Sequence, residues 1–322
     1  MRDDACGCST AGATPPSGRE LLVAVCDISK RYGRTTAVAG VTLALWSGEI
    51  CGFIGANGAG KTTILRMLAG ILKPDGGGGQ VLGFDLQREV AAIRERVGYM
   101  SQRLSLYPEL SVFENLRFRA AVYGLRNPHA AVEVAILEFG LVPWARSPAG
   151  SLSGGWARRL QLAASLLHSP RLVLLDEPTA GLDAVARQEV WRRVEGLAAA
   201  GAGVIVCTHD LVEAERCSQA AVFANGQVVA AGAPAEIAAG SRMAVFLLCG
   251  TDVRRLAKDV TAVTGVVASY PRGESLRVVA DPLAELDLRC FAARHAASLA
   301  RVGARFEDAL LGRSLPTGWH PT

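Results

Sequence analysis

Residues 55–63 read GANGAGKTT, directly behind the apolar run GEICGFIG (48–55) and ahead of ILRMLA (64–69). A buried strand, a glycine-rich turn and a helix in that order predict an α/β layer whose turn closes around an anion. Gly55, Gly58 and Gly60 admit backbone conformations closed to other residues, so the loop's N–H groups can converge on phosphate oxygens. Asn57, Ala59 and Thr63 fill out the same cradle. A helix starting near Lys61 turns its positive end on that anion. Lys61 is placed for the outer phosphates and the Thr62 hydroxyl for Mg²⁺. A glycine turn without a ligand is the plainer alternative, but a Lys-Thr pair at a helix start serves no packing purpose.

A second apolar run, LVLL at 172–175, ends in Asp176 and Glu177. Two carboxylates at the end of a buried strand cost free energy unless something uses them. Asp176 suits a water-mediated hold on Mg²⁺, and Glu177 suits polarising a water for in-line attack on a terminal phosphate. A merely solvated pair is the alternative, and PTAGLD at 178–183 argues against it. Three further segments complete an ordered set: YMSQ ending at Gln102, LSGG at 152–155 and THD around His209.

With all five segments in that order, the chain resembles the nucleotide-binding subunit of ATP-binding cassette (ABC) transporters over about residues 21–240. The resemblance implies ATP and Mg²⁺ as cofactors. It implies that Tyr32 stacks on adenine, that Gln102 touches Mg²⁺ and the attacking water, and that His209 senses the γ-phosphate. Ser153, Gly154 and Gly155 at a helix start would complete the site on the phosphate loop of a second subunit. Asp183 would lie at that seam. A single set of motifs then makes the chain a homodimer partner, working with a separately encoded membrane permease on the cytoplasmic face. The family has Gln after LSGG where this chain has Trp156, which puts in doubt any contact that Gln makes to nucleotide and offers a ring for the dimer contact.

The fold class expected is α/β, a P-loop NTPase cassette. It has a mostly parallel sheet, an antiparallel β-subdomain and a helical insert over about 103–168 within a nucleotide-binding domain at 20–240. Gly76–Gly79 read as a flexible hairpin turn, since no Lys-Thr or helix start follows. After a turn-rich stretch, strand and helix patterns in the order β-α-β-β-α-β predict a small α+β, ferredoxin-like domain at 243–315. Residues 1–19 read as a disordered tail without the apolar core of a signal peptide.

The chain has 322 residues, half of them apolar, enough for one large core and a small one. Its apolar runs are strand-sized, too short to cross a bilayer. A net charge of +4 without a basic block is too small to argue for a nucleic-acid partner, and none is expected. Eight scattered cysteines fit reduced, buried thiols. Within the resembled family, three features favour an ABC-2 type exporter subunit for drug-like or amphiphilic compounds: the stretch at 99–125, Trp156 after LSGG, and a C-terminal extension closing on FEDAL at 306–310. An importer subunit shares every catalytic residue. A soluble cassette ATPase would call for a second cassette or a long heptad run.

Overall fold

The computed structural model describes residues 18–250 and 252–311. The tail expected at residues 1–19, apart from its last two residues, and the cysteines Cys6 and Cys8 lie outside the described residues. In chain order the elements are β1 (Leu21–Tyr32), β2 (Thr35–Trp46), β3 (Ile50–Ile54), α1 (Lys61–Leu68), β4 (Gly76–Val81), β5 (Phe84–Asp85), α2 (Val90–Arg96) and β6 (Val97–Met100). Next come α3 (Val112–Val122), α4 (Pro128–Glu138), α5 (Gly154–Leu166), β7 (Leu172–Asp176), α6 (Ala184–Ala199), β8 (Gly203–Thr208) and α7 (Leu211–Ala214). Then follow β9 (Gln219–Ala224), β10 (Gln227–Gly232), α8 (Pro234–Ala239), β11 (Ala244–Cys249), α9 (Val253–Val260) and β12 (Val266–Arg272). The chain closes with β13 (Ser275–Ala280), α10 (Glu285–Arg294), β14 (Ser298–Val302) and α11 (Phe306–Leu311). The described residues form two compact units: 18–209 with Cys217–Val229, and Asp210–Arg216 with 230–250 and 252–311.

In the first unit a sheet ordered β10-β9-β3-β8-β7-β6 is parallel from β9 through β6. Its central strands β3, β7 and β8 are apolar on both faces because both faces are covered. Leu172, Leu174, Ile205 and Cys207 join one core with Phe53 and the α1 residues Ile64 and Leu65. Their neighbours Val173, Leu175, Val204 and Val206 point the opposite way, into a core shared with Leu116, Leu160 and Trp191 from α3, α5 and α6. Burying each such side chain contributes about 1.5–3 kcal/mol. The helices are set by local chemistry: Ser111 and Glu114 form a reciprocal cap on α3, and Asn127 with Pro128 starts α4.

The antiparallel sheet is ordered β2-β1-β4-β5. Here the glycine run corrects the sequence reading. Residues 76–79 are not a hairpin turn but strand β4, paired with β1 from Val23↔Val81 to Ser29↔Gly76. The reason is steric. A Cβ on Gly77 would stand 2.2 Å from the Asp27 carbonyl oxygen, and one on Gly79 2.1 Å from that of Ala24. Only a chain without side chains approaches β1 so closely.

The second unit holds a sheet ordered β12-β13-β11-β14, every neighbouring pair antiparallel. With α9 and α10 as the crossovers this is the ferredoxin-like order expected from the sequence. Phe246, Leu248, Leu276 and Val278 pack with Leu256, Val260, Leu288 and Phe291 of those helices. In the first turn of α11, the fully enclosed Asp308 accepts hydrogen bonds from Tyr270 Oη (2.7 Å), Arg277 Nε (2.9 Å) and Nη2 (2.7 Å), and the Arg305 N–H (2.7 Å). Among the described cysteines, Cys51, Cys207, Cys217, Cys249 and Cys290 are free thiols, whereas Cys26 is disulfide-bonded, so the expectation of reduced thiols does not extend to it.

Candidate active site

Because β3, β8, β7 and β6 are parallel neighbours, their C-terminal ends open along one edge of the sheet. Gly55 follows β3, His209 follows β8, Asp176 and Glu177 close β7, and Gln102 lies just past β6. Residues far apart in the chain thereby reach one place. A cleft of about 500 Å³ is lined by Ala37, the loop and helix start Asn57–Thr63, Gln102 and Glu177.

Gly60 has φ of 100°, and a Cβ there would stand 2.4 Å from the Ala37 carbonyl oxygen. The left-handed backbone and the close approach both require glycine. Lys61 is buried and donates from Nζ to the carbonyls of Gly55 (2.5 Å) and Ala56 (3.0 Å). Burial lowers its pKa from the ordinary value, while Cys207, Glu177 and Asp176 act the other way. Carbonyl partners hold the ammonium at the mouth of the loop, where phosphate oxygens can replace them.

Thr62 Oγ1 donates to Asp176 Oδ1 at 3.2 Å. Burial raises the Asp176 pKa, opposed by that hydrogen bond. The other oxygen, Oδ2, is buried without a hydrogen-bond partner. An orphaned carboxylate oxygen costs on the order of 1–3 kcal/mol, and a hard cation shared with the Thr62 hydroxyl would relieve it. The residues present therefore fit Mg²⁺.

Glu177 has φ of 50°, a left-handed conformation that a side-chain-bearing residue adopts only under constraint. Its N–H donates to the Cys207 carbonyl at 3.0 Å, tying it to β8. Each carboxylate oxygen then has a separate neighbour: Gln102 Nε2 donates to Oε2 (3.0 Å), and His209 Nδ1 stands 3.2 Å from Oε1. Three strand ends thus converge on one acid.

Other sequence-predicted residues lie outside this lining. Tyr32 ends β1 about half exposed, at 49%. Ser153 is the N-cap of α5, its hydroxyl making no cap hydrogen bond, and a Cβ on Gly154 would meet nothing within 4 Å. Gly155 approaches Leu182. Asp183 caps α6 by accepting from the Ala186 N–H at 2.8 Å, which gives it a local task of its own. Trp156 is engaged within its own chain, 5.9 Å from the Trp144 ring and under the Arg159 guanidinium at 4.5 Å. Sequence reasoning passed over Ala37, which has no chemical signature, and Arg158 and Gln161. The last two carried a legible signal, polar residues at i, i+3 on a face of α5 otherwise made of Leu and Ala.

A family model described as ABC transporter matches residues 38–180. A probable multidrug ABC transporter ATP-binding protein of Escherichia coli is 38% identical over 224 residues, taking in 69% of this chain and 39% of the relative. The chain thus spans well under half the length of that relative. The Nod factor export ATP-binding protein I of Ralstonia nicotianae is 40% identical over 228 residues, covering 69% of this chain and 70% of the relative. Among solved structures, an ATP binding subunit of an ABC transporter superposes with a TM-score of 0.62 at 32% identity, covering 67% of this chain and 91% of that one.

Proposed function

Since the chain belongs to the ABC transporter family, we propose that it is the ATP-binding and ATP-hydrolysing subunit of an exporter. The observation that carries this reading is the convergence of Gln102, Glu177 and His209 beside the glycine cradle and Lys61. Lys61 and the loop N–H groups take the phosphates, with the α1 N-terminus behind them. Thr62 and Asp176 would hold Mg²⁺ together with Gln102, and the cation when bound neutralises charge on the outer phosphate oxygens. Glu177 orients a water in line with the γ-phosphorus. As the water oxygen bonds to phosphorus, the bond to the ADP oxygen breaks and the water's proton passes to the Glu177 carboxylate. Gln102 and His209 fix that carboxylate, and His209 stands where it senses the leaving phosphate.

The open Ser153 hydroxyl and the bare Gly154 face supply what one chain's cleft lacks, a second wall for the γ-phosphate. Two copies facing each other would each provide it, with Tyr32 stacking on adenine and Asp183 near the seam. No helix among the described residues is long and apolar enough to cross a membrane. The partner this reading assigns is a separate permease, with this chain on its cytoplasmic side. Similarity to an export subunit and to a multidrug subunit supports outward transport of drug-like or amphiphilic compounds. The test is Glu177→Gln. Steady-state turnover should disappear while ATP binding survives, because the cradle is untouched. Wild-type turnover in that variant removes Glu177 from the reaction.

A further inference from the structure

The loop that carries Gln102 is gripped by helix α5. Arg158, 7% exposed, donates from Nη1 to the carbonyl oxygens of Gln102 (2.6 Å) and Ser101 (3.3 Å), and to Gln161 Oε1 (3.2 Å). Gln161, 2% exposed and one turn further along, donates from Nε2 to the carbonyls of Ser101 (3.1 Å) and Arg103 (2.9 Å). Three consecutive carbonyls, 101 to 103, are therefore held by two side chains of one helix. Past them, Asn115 of α3 fixes the rest of the loop, accepting from the Tyr107 N–H and donating to the carbonyls of Tyr107 and Leu110.

Burying a guanidinium is costly, and burial lowers the Arg158 pKa against the pull of Glu177 and Asp176. An apolar residue at this position would pack against α5's other Leu and Ala positions without that cost. What the arginine adds is direction. Gln102 has its main chain on α5 through Arg158 and its side chain on Glu177. The same helix begins at Ser153 and Gly154.

We propose that Arg158 is a positioning residue for hydrolysis. It ties Gln102 to α5, so the Gln102–Glu177 contact follows the placement of that helix. Gln161 keeps the arginine aimed. This inference rests on the hydrolytic reading above. Arg158 touches no reacting atom in this scheme; it acts through Gln102.

The experiment compares ATP turnover and ATP affinity of the full chain with Arg158→Ala, Arg158→Lys, Gln102→Ala and the double variant Arg158→Ala/Gln102→Ala, with Glu177→Gln in parallel. Arg158→Ala should lower kcat by about tenfold or more while the dissociation constant for ATP changes less than about threefold, as for loss of an interaction made only in the transition state. The double variant should be no worse than Gln102→Ala alone, since both act through one group. Arg158→Lys, which keeps a cation able to reach one carbonyl, should fall between wild type and Arg158→Ala and covers the case where the alanine variant does not fold. Losses that multiply in the double variant overturn the coupling, as does wild-type kcat in Arg158→Ala or Arg158→Lys while Glu177→Gln is inactive. Turnover retained in Glu177→Gln instead overturns the hydrolytic reading, and the clamp falls with it.

Discussion

Replacing Asp308 by Asn tests how the second unit is held together. The change keeps the side chain's size and removes its charge. In the native chain Asp308 is wholly enclosed, and Arg277 reaches it from Nε and Nη2 while also donating to the Gly303 carbonyl. Burial and the Asp308 bond together push the Tyr270 phenol well above its ordinary pKa, so the phenol stays a donor. Asparagine would leave the buried guanidinium without a counter-charge and set an N–H₂ group among donors. Removing one partner of a buried pair costs about 3–5 kcal/mol. Because the chain has two units, one global unfolding energy is not well defined, and the measurement should be local. Hydrogen exchange at the β13 amides, flanked by β11 and β12, reports opening of this sheet. At about 1.4 kcal/mol per tenfold, exchange there should quicken on the order of a hundredfold or more, with amides of β7 unchanged. The double replacement Arg277→Met with Asp308→Leu should cost less than either single change, because no unpaired charge remains. Unchanged exchange in Asp308→Asn, or a double variant worse than both singles, refutes the argument.

Lys61→Ala should weaken ATP binding by at least tenfold in calorimetry, since it removes the main cation facing the phosphates. Asp176→Asn should raise the Tm of the nucleotide-free chain while shrinking the further rise given by Mg²⁺ and ATP. Burial raises the Asp176 pKa, so the folded chain keeps that proton longer than the unfolded one and loses stability as pH rises through the shifted value. A thermal shift series over acidic to neutral pH should therefore show the Tm of the wild type falling relative to that of Asp176→Asn, whose side chain does not titrate, and parallel curves would sink this account. Mixing Ser153→Arg subunits with Glu177→Gln subunits should restore part of the ATPase activity, because the intact Glu177 of one chain meets the intact Ser153 of the other and makes one whole site per heterodimer; mixed dimers that form yet stay inactive would place each complete site within a single chain.

What the sequence made legible was governed by apolar runs with sharp ends. LVLL before Asp176 and the run before Gly55 are strands because both of their faces find a core, and such runs read directly. In the second unit β11 and β13 fall where their apolar runs do, at residues 244–249 and 275–280. The glycine strand β4 was hidden because its cause is a neighbour. Nothing within 76–79 says that β1 will pass within 2.2 Å of where a Cβ would be. Strand β6 has four residues and no period of its own, and the sheet supplies its conformation through β7. At the site, Gln102, Glu177 and His209 could be named from their motifs, but their meeting on one carboxylate needs the strand order. Arg158 and Gln161 showed in the sequence only as polar residues on an apolar helix face; what they grip, main-chain carbonyls, every sequence has and none advertises.

The parallel pairings Met100↔Leu175, Asp176↔Cys207 and Ile54↔Thr208 set how far each strand end projects towards the cleft. Side chains alternate between faces with every step, so inserting or deleting one residue in β6, β7 or β8 would turn that strand's apolar set from one core to the other and carry its terminal group about 3.3 Å along the axis. Point changes within these strands can be absorbed by repacking, whereas length changes cannot. Drift within β6, β7 and β8 is therefore confined to exchange of one side chain for another, and new length can enter where the chain leaves the sheet, in the segment between Gln102 and Leu172 or in the turn between α6 and β8.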